Sequence, residues 1–185
     1  MGRPKGFSRE DVLLKSISVF WEKGFAETTV QDLERATGVN KSGLYSEFAN
    51  KEDIFLASLE HYLQTRGGEE ILSAQPLGWD NIRRYLEIGQ TCYTGKKGCF
   101  SVNSMRDVAM LPAEGQQMIS RKNLTLKRLL VRNIKAELPS AHADVLAETI
   151  LTFFSGLCIE QNLHPNNAIV SRKVAGFMRF LTQSK

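Results

Sequence analysis

Gly38 constrains this chain more than any other residue, because it separates two short stretches that each carry helical spacing. It lies within residues 28–51, TTVQDLERATGVNKSGLYSEFANK. Before it, Val30, Leu33 and Ala36 recur every three residues, which predicts one face of a helix beginning near Thr29. Thr28 and Thr29 supply hydroxyls where the first backbone N–H groups lack acceptors. Gly38 can adopt the left-handed conformation that ends a helix. Val39 fills the turn, and Asn40 caps a second helix over residues 41–48 with Leu44 and Phe48 as its apolar face. The opposite face carries Lys41, Ser42, Gly43, Tyr45 and Ser46, with little apolar mass. Such a face suits a helix laid in the major groove of DNA, where side chains must reach base edges and phosphates.

The surrounding residues extend the pattern. Phe20-Trp21-Glu22-Lys23-Gly24-Phe25 precedes Thr28-Thr29-Val30-Gln31-Asp32-Leu33, and Ala36-Thr37-Gly38-Val39-Asn40-Lys41-Ser42-Gly43-Leu44-Tyr45 leads to Phe48 and Asn50-Lys51-Glu52. In order and spacing, residues 3–60 resemble the DNA-binding domain of the TetR family of bacterial transcriptional repressors. The resemblance implies an all-α chain of about nine helices. A three-helix helix-turn-helix DNA-binding domain would span residues 1–66, and a helical ligand-binding and dimerisation domain residues 67–185. It also implies that Lys51 and Tyr45 lie near DNA phosphates. Thr28 and Thr29 join them as phosphate contacts, and Lys41, Ser42, Gly43 and Ser46 are the candidates for base-edge readout. Gly43, without a side chain, is expected to let the backbone approach DNA closely. Glu47 departs from the family pattern, since a carboxylate beside DNA must avoid phosphate or accept from a cytosine amine.

Composition agrees with an ordinary globular protein, with 42% hydrophobic and 24% charged residues in 185. Five prolines and no long Val/Ile/Thr alternation favour helices. No apolar run approaches the ~18 residues of a membrane span, so no membrane partner is expected. The polar start MGRPKGFSRED does not read as a signal peptide. Three widely spaced cysteines argue for a reducing compartment, and the expected location is the cytoplasm. The net charge of +4 is not itself a nucleic-acid signal: residues 1–60 hold 8 Lys and Arg against 10 Asp and Glu. What matters is local placement, with Arg3, Lys5, Arg9, Lys41 and Lys51 on one face and Glu22, Glu27 and Glu34 turned away. Arg3 and Lys5 flank Pro4 in a basic arm that either reaches DNA or remains a solvated terminus.

Ser8 caps the first helix, whose stripe is Leu13, Ile17, Phe20 and Trp21, ended by Gly24. Asn50 caps a helix to about Thr65, and Arg66-Gly67-Gly68 breaks it. Further helices are expected from Asp80 to about Thr94, over residues 112–137, 140–163 and 168–183. Gly95-Lys96-Lys97-Gly98 is a turn with no preceding strand and no phosphate-loop pattern. The stretch Gly98-Cys99-Phe100-Ser101-Val102-Asn103-Ser104 resembles a segment that borders the ligand cavity in many TetR-family chains. Trp79, Tyr85, Tyr93, Cys99, Phe100 and Asn103 are accordingly the candidate ligand-binding residues for a small-molecule effector. In the last two helices Leu146, Ile150, Phe153 and Leu157, and Val170, Val174, Phe177 and Leu181, repeat at 4, 3, 4. The resemblance makes these the candidate homodimer interface, and Gly156 would allow close helix approach.

His61, His142 and His164 are not at ligand spacing, so no metal is expected, and no acid, base or nucleophile set marks an enzyme or a cofactor. Cys99 follows Gly98 at an expected helix start, with Lys96 and Lys97 upstream, an environment that favours thiolate. Three readings result: a repressor that leaves a palindromic DNA operator when a small molecule fills its cavity, a repressor switched by oxidants or electrophiles at Cys99, and a helical interaction module that binds no DNA.

Overall fold

The computed structural model describes residues 6–90, 93, 95–96, 98–138, 142–163 and 165–183. Arg3, Lys5, Cys92, Lys97 and His164 lie outside them. The described residues form ten α-helices and no strand: α1 (Arg9–Glu27), α2 (Val30–Thr37), α3 (Lys41–Tyr45), α4 (Lys51–Thr65), α5 (Gly68–Ser73), α6 (Trp79–Glu87), α7 (Phe100–Ser104), α8 (Ala113–Glu137), α9 (Ala143–Leu163) and α10 (Asn167–Gln183). Three of these are six residues or shorter, so the all-α expectation of about nine helices describes the fold well. Among the described residues no helix is long and apolar enough to cross a membrane.

The helix starts are written in side-chain oxygens. The Ser8 hydroxyl accepts from the Asp11 N–H, Asn40 from Gly43 and Asn50 from Asp53. Thr29 and Asp32 form a reciprocal capping box on α2. Gly38 ends α2 in the left-handed conformation at φ 74°, its N–H donating to Glu34 O. Gly24 breaks α1 at φ 78° but does not end it, since a further turn runs to Glu27. The inner face of α2 is Leu33 and Thr37, whereas Ala36 points to solvent. The i, i+4 step suits the 3.6-residue turn better than the i, i+3 step that the sequence pattern favoured.

The helix α4 is shared between two bodies of core. Phe55 packs against Phe20 and Phe25, and Tyr62 meets Trp21 edge to face at 5.7 Å. Phe100 of α7 stacks on Trp21 and touches both Tyr62 and Phe55. Behind α4, α8 and α9 pack along their length, and α5 and α6 close the bundle. A buried amide knots this end together. Asn133 accepts from the Gly78 N–H and from Asn81, and donates to Leu72 O and Leu129 O.

The terminal seam requires a correction. Ile150, Leu157, Val170, Val174 and Leu181 are fully inside the protomer, so the 4-3-4 pattern is its own core seam. A helix on the surface of a small domain needs such a stripe to bury itself, and the pattern alone does not reveal who covers it. Leu146, Phe153 and Phe177 are half-buried, with Phe153 and Phe177 stacked at 3.9 Å. The outward apolar residues are one step round the helices: Val145 and Ile159 on α9 and Phe180 on α10. Gly156 lies on the same face with open space where a side chain would be.

Candidate DNA-reading face and ligand cavity

On α3 the structure sorts the candidate residues into two groups. Lys41, Ser42 and Ser46 are exposed, and Tyr45 is half-buried with the Lys41 ammonium 5.7 Å from its ring centroid. The Ser46 hydroxyl donates to Gly43 O at 2.7 Å, which fixes its rotamer. The Glu34 carboxylate accepts from the Lys41 backbone N–H, so it does not turn away as expected but closes the start of α3.

Gly43 faces the other way. A β-carbon there would stand 2.7 Å from Val39 Cγ1 and 3.5 Å from the Phe7 ring. Its bareness makes room for the turn to fold beneath α3. Thr28 is also corrected: it is buried, and its hydroxyl donates to Gly24 O at 2.6 Å, capping the broken end of α1. Thr29 is exposed, but its hydroxyl proton is already given to Asp32 Oδ2 at 2.8 Å. Asp32 in turn is ion-paired with Lys23 at 2.6 Å. The Lys23 and Thr29 hydrogen bonds hold the Asp32 carboxyl well below the usual carboxylate range.

Lys51 is the largest departure. Its ammonium donates to Phe25 O and Thr28 O at 2.9 Å and lies 4.6 Å from the Phe25 ring centroid. Orphan carbonyls at the end of α1 offer a cation several acceptors at the negative end of a helix dipole, and the side chain folds back to them. Arg9 behaves alike, donating to Glu47 O and covering the Phe48 ring. Tyr45, by contrast, keeps its hydroxyl outside any hydrogen bond among the described residues.

The cavity lies between α4, α6, α8 and α9, with a volume of about 210 Å³. Of the six candidate ligand residues, Tyr85 and Cys99 line it. The other four candidates do not. Phe100 is spent on the aromatic junction with Trp21. Asn103 donates to Trp21 O at 2.6 Å and accepts from Asn162. The Tyr93 hydroxyl is 2.6 Å from Thr65 Oγ1, and Trp79 borders a surface groove with Arg83 and Met178. The sequence reading missed Tyr62, Arg66 and Lys122, which line the cavity from α4 and α8. Tyr62 and Arg66 are one helical turn apart on α4, a spacing that could have paired them. Arg66 is oriented by Ile88 O and Gly98 O, and Lys122 by Leu63 O and Glu69.

The sequence model of the tetR family of bacterial regulatory proteins matches residues 13–58, from within α1 into α4. The whole fold matches as well. A TetR-family transcriptional regulator from Agrobacterium tumefaciens superposes with a TM-score of 0.81 over 92% of this chain and 95% of that one, at 15% identity. Residues 13–58 are thus a TetR-type DNA-binding domain, and the chain as a whole has the fold of TetR-family regulators. A cysteine-substituted TetR-family regulator, CifR, solved with 26-base-pair operator DNA, superposes with a TM-score of 0.81 at 21% identity, over 96% of this chain and 98% of that one. Along the sequence, the transcriptional repressor ComR of Escherichia coli K12 is 29% identical over 171 residues, 85% of this chain and 81% of the relative. Within the matched residues the helix-turn-helix is α2 and α3, and α4 joins it to the rest.

Proposed function

We propose that this regulator represses transcription by binding a palindromic operator as a homodimer, and that a small molecule in the cavity releases it. The observation that carries the reading is α4. Its first residue, Lys51, holds the end of α1, and its last turns, through Tyr62 and Arg66, form a wall of the cavity. A ligand that prefers a different tilt of α4 changes the spacing of the two α3 helices. Half-sites one helical turn apart, about 34–36 Å, tolerate little change in that spacing. Moving a dimer from mostly competent to mostly incompetent takes about 5.5 kcal/mol of differential ligand affinity. A cavity of about 210 Å³ lies below the ~300–1,000 Å³ typical of drug-sized ligands, which favours a compact effector.

Lys41, Ser42 and Ser46 are the base-edge candidates that keep a free face, and Tyr45 is the phosphate contact. The operator-binding unit ends near residue 66, and the dimer face is Val145, Gly156 and Ile159 on α9 with Phe180 on α10. The reading places the protein in the cytoplasm with its DNA and gives it no catalytic step. Selection of random duplexes by the purified protein, at a stated salt concentration, tests it. An enriched inverted repeat, lost with Lys41→Ala and Tyr45→Ala, is expected. Unselective binding unaffected by either substitution would favour the interaction module.

A further inference from the structure

Two buried thiols meet where α7 begins. Cys99 caps α7 and lines the cavity, whereas Cys158 on α9 lies outside that lining, and neither is in a disulfide. The chain at Gly98 runs directly over α9: a β-carbon on Gly98 would stand 2.8 Å from Cys158 O and 3.6 Å from its carbonyl carbon. On the other side, Cys158 Sγ would be 3.3 Å from a β-carbon on Gly89. The two cysteines are thus held on adjoining stretches of backbone, with the Cys158 thiol beside that of Cys99. Ser101 Oγ stands 3.1 Å from Cys99 Sγ. The Cys158 thiol beside it is the chief cause that holds Cys99 below the usual thiol range, and Cys158 is pushed up correspondingly. The cavity reaches Cys99 and not Cys158, so a reagent that enters it meets Cys99 first.

We propose that Cys99 and Cys158 are a modification site for a small hydroperoxide, with Cys99 the sulfur oxidised first from the cavity and Cys158 the sulfur that closes the disulfide. The Cys99 sulfur attacks the distal peroxide oxygen, the O–O bond breaks, and the departing oxygen takes up a proton and leaves as water or an alcohol. Cys99 is then a sulfenic acid. The Cys158 sulfur, losing its proton, attacks the Cys99 sulfur, the S–O bond breaks, and a second water leaves. Two thiols give up two protons and two electrons, and one peroxide is reduced.

The linkage has a mechanical consequence. Closing an S–S bond to about 2.05 Å draws the start of α7 onto α9. Phe100 and Asn103, on the same short helix, hold Trp21 of α1 by stacking and by the hydrogen bond to its carbonyl. Oxidation therefore disturbs the seat of the helix-turn-helix. This consequence rests on the operator-binding reading; the disulfide does not.

The test uses the full chain, hydrogen peroxide, alkylation and peptide mapping by mass spectrometry. The expected product is a Cys99–Cys158 linked peptide and an intact mass lower by two hydrogens, unchanged in Cys92→Ser. Cys158→Ser should stop at a sulfenic acid on Cys99 that dimedone captures, and Cys99→Ala should not react. A bridge that includes Cys92, a disulfide between protomers, or Cys99 and Cys158 thiols that still alkylate when the peroxide-treated protein is unfolded would each overturn the proposal. With the selected operator, peroxide should lower affinity about tenfold, within the usual range of allosteric coupling, and dithiothreitol should restore it. If the linked peptide forms while the reduced protein binds no operator, the operator reading has failed and the thiol site stands.

Discussion

Lys51→Met removes an ammonium but keeps most of the stem, and the structure says what that costs. The lost contacts are two charged hydrogen bonds at 2.9 Å to Phe25 O and Thr28 O, a longer one to Ala26 O, and the contact with the Phe25 ring. Hydrogen bonds to a charged group contribute about 1.5–3 kcal/mol. A cation at a helix carboxyl end adds about 0.3–1 kcal/mol. Lys51 is half-buried, so solvent screens part of this, and we expect a loss of about 2 kcal/mol. For a chain of this length that lowers Tm by roughly 4–8 °C. Urea or thermal unfolding without DNA reads the stability. The salt dependence of operator affinity reads the alternative, because a phosphate contact contributes about 0.9 to the slope of log K against log salt, or about 1.8 for a dimer. The variant should therefore be less stable with an unchanged salt slope. Stability within 0.5 kcal/mol of the parent (about the noise of surface substitutions), together with a slope reduced by about 1.8, would refute the bracing role and restore Lys51 to the DNA.

Gly43→Ala places a methyl 2.7 Å from Val39 Cγ1 and should destabilise by about 1–3 kcal/mol as overpacking does; Ser42→Ala, at the exposed neighbouring position, should leave Tm unchanged and weaken only operator binding. Asn133→Ala strands the Gly78 N–H and Leu72 O in a dry interior, and chemical denaturation should show a loss of about 3 kcal/mol. Asp32 is held ionised by Lys23 and Thr29, so its folded-state pKa lies below the unfolded value of about 3.9. Its contribution is present above that value and is lost as pH falls below it. Asp32→Asn should accordingly flatten the loss of stability measured between about pH 4 and pH 2. Ile159→Lys with Phe180→Lys, both outward-facing apolar positions, should yield a folded monomer by sedimentation that no longer selects an inverted repeat.

Elements set by local chemistry were legible in the sequence. Ser8, Asn40 and Asn50 are helix caps because a short polar side chain beside an orphan N–H has one good use. Gly38 ends α2 because the left-handed conformation that closes the helix costs glycine little and other residues more. The bounds of α4, from Lys51 to Thr65, followed from Asn50 at one end and Arg66-Gly67-Gly68 at the other.

What a polar side chain does once the chain has folded was decided only by tertiary structure. Lys51 and Arg9 looked like cations waiting for DNA, yet each found carbonyls left over at the end of another element, at 23 or more residues' remove. Gly43 is expected from sequence to let the backbone approach DNA, and its missing side chain faces Val39. The 4-3-4 seams of α9 and α10 are real, but whether a partner or the same protomer covers them depends on how the bundle closes. The cavity shows the same division, since Tyr62, Arg66, Cys99 and Lys122 come from three helices and meet only in space. Helix propensity, caps and periodicity are nearest-neighbour properties and can be read along a chain. The use of a charge, a glycine or a thiol depends on partners at long sequence separation, and only packing brings those partners together.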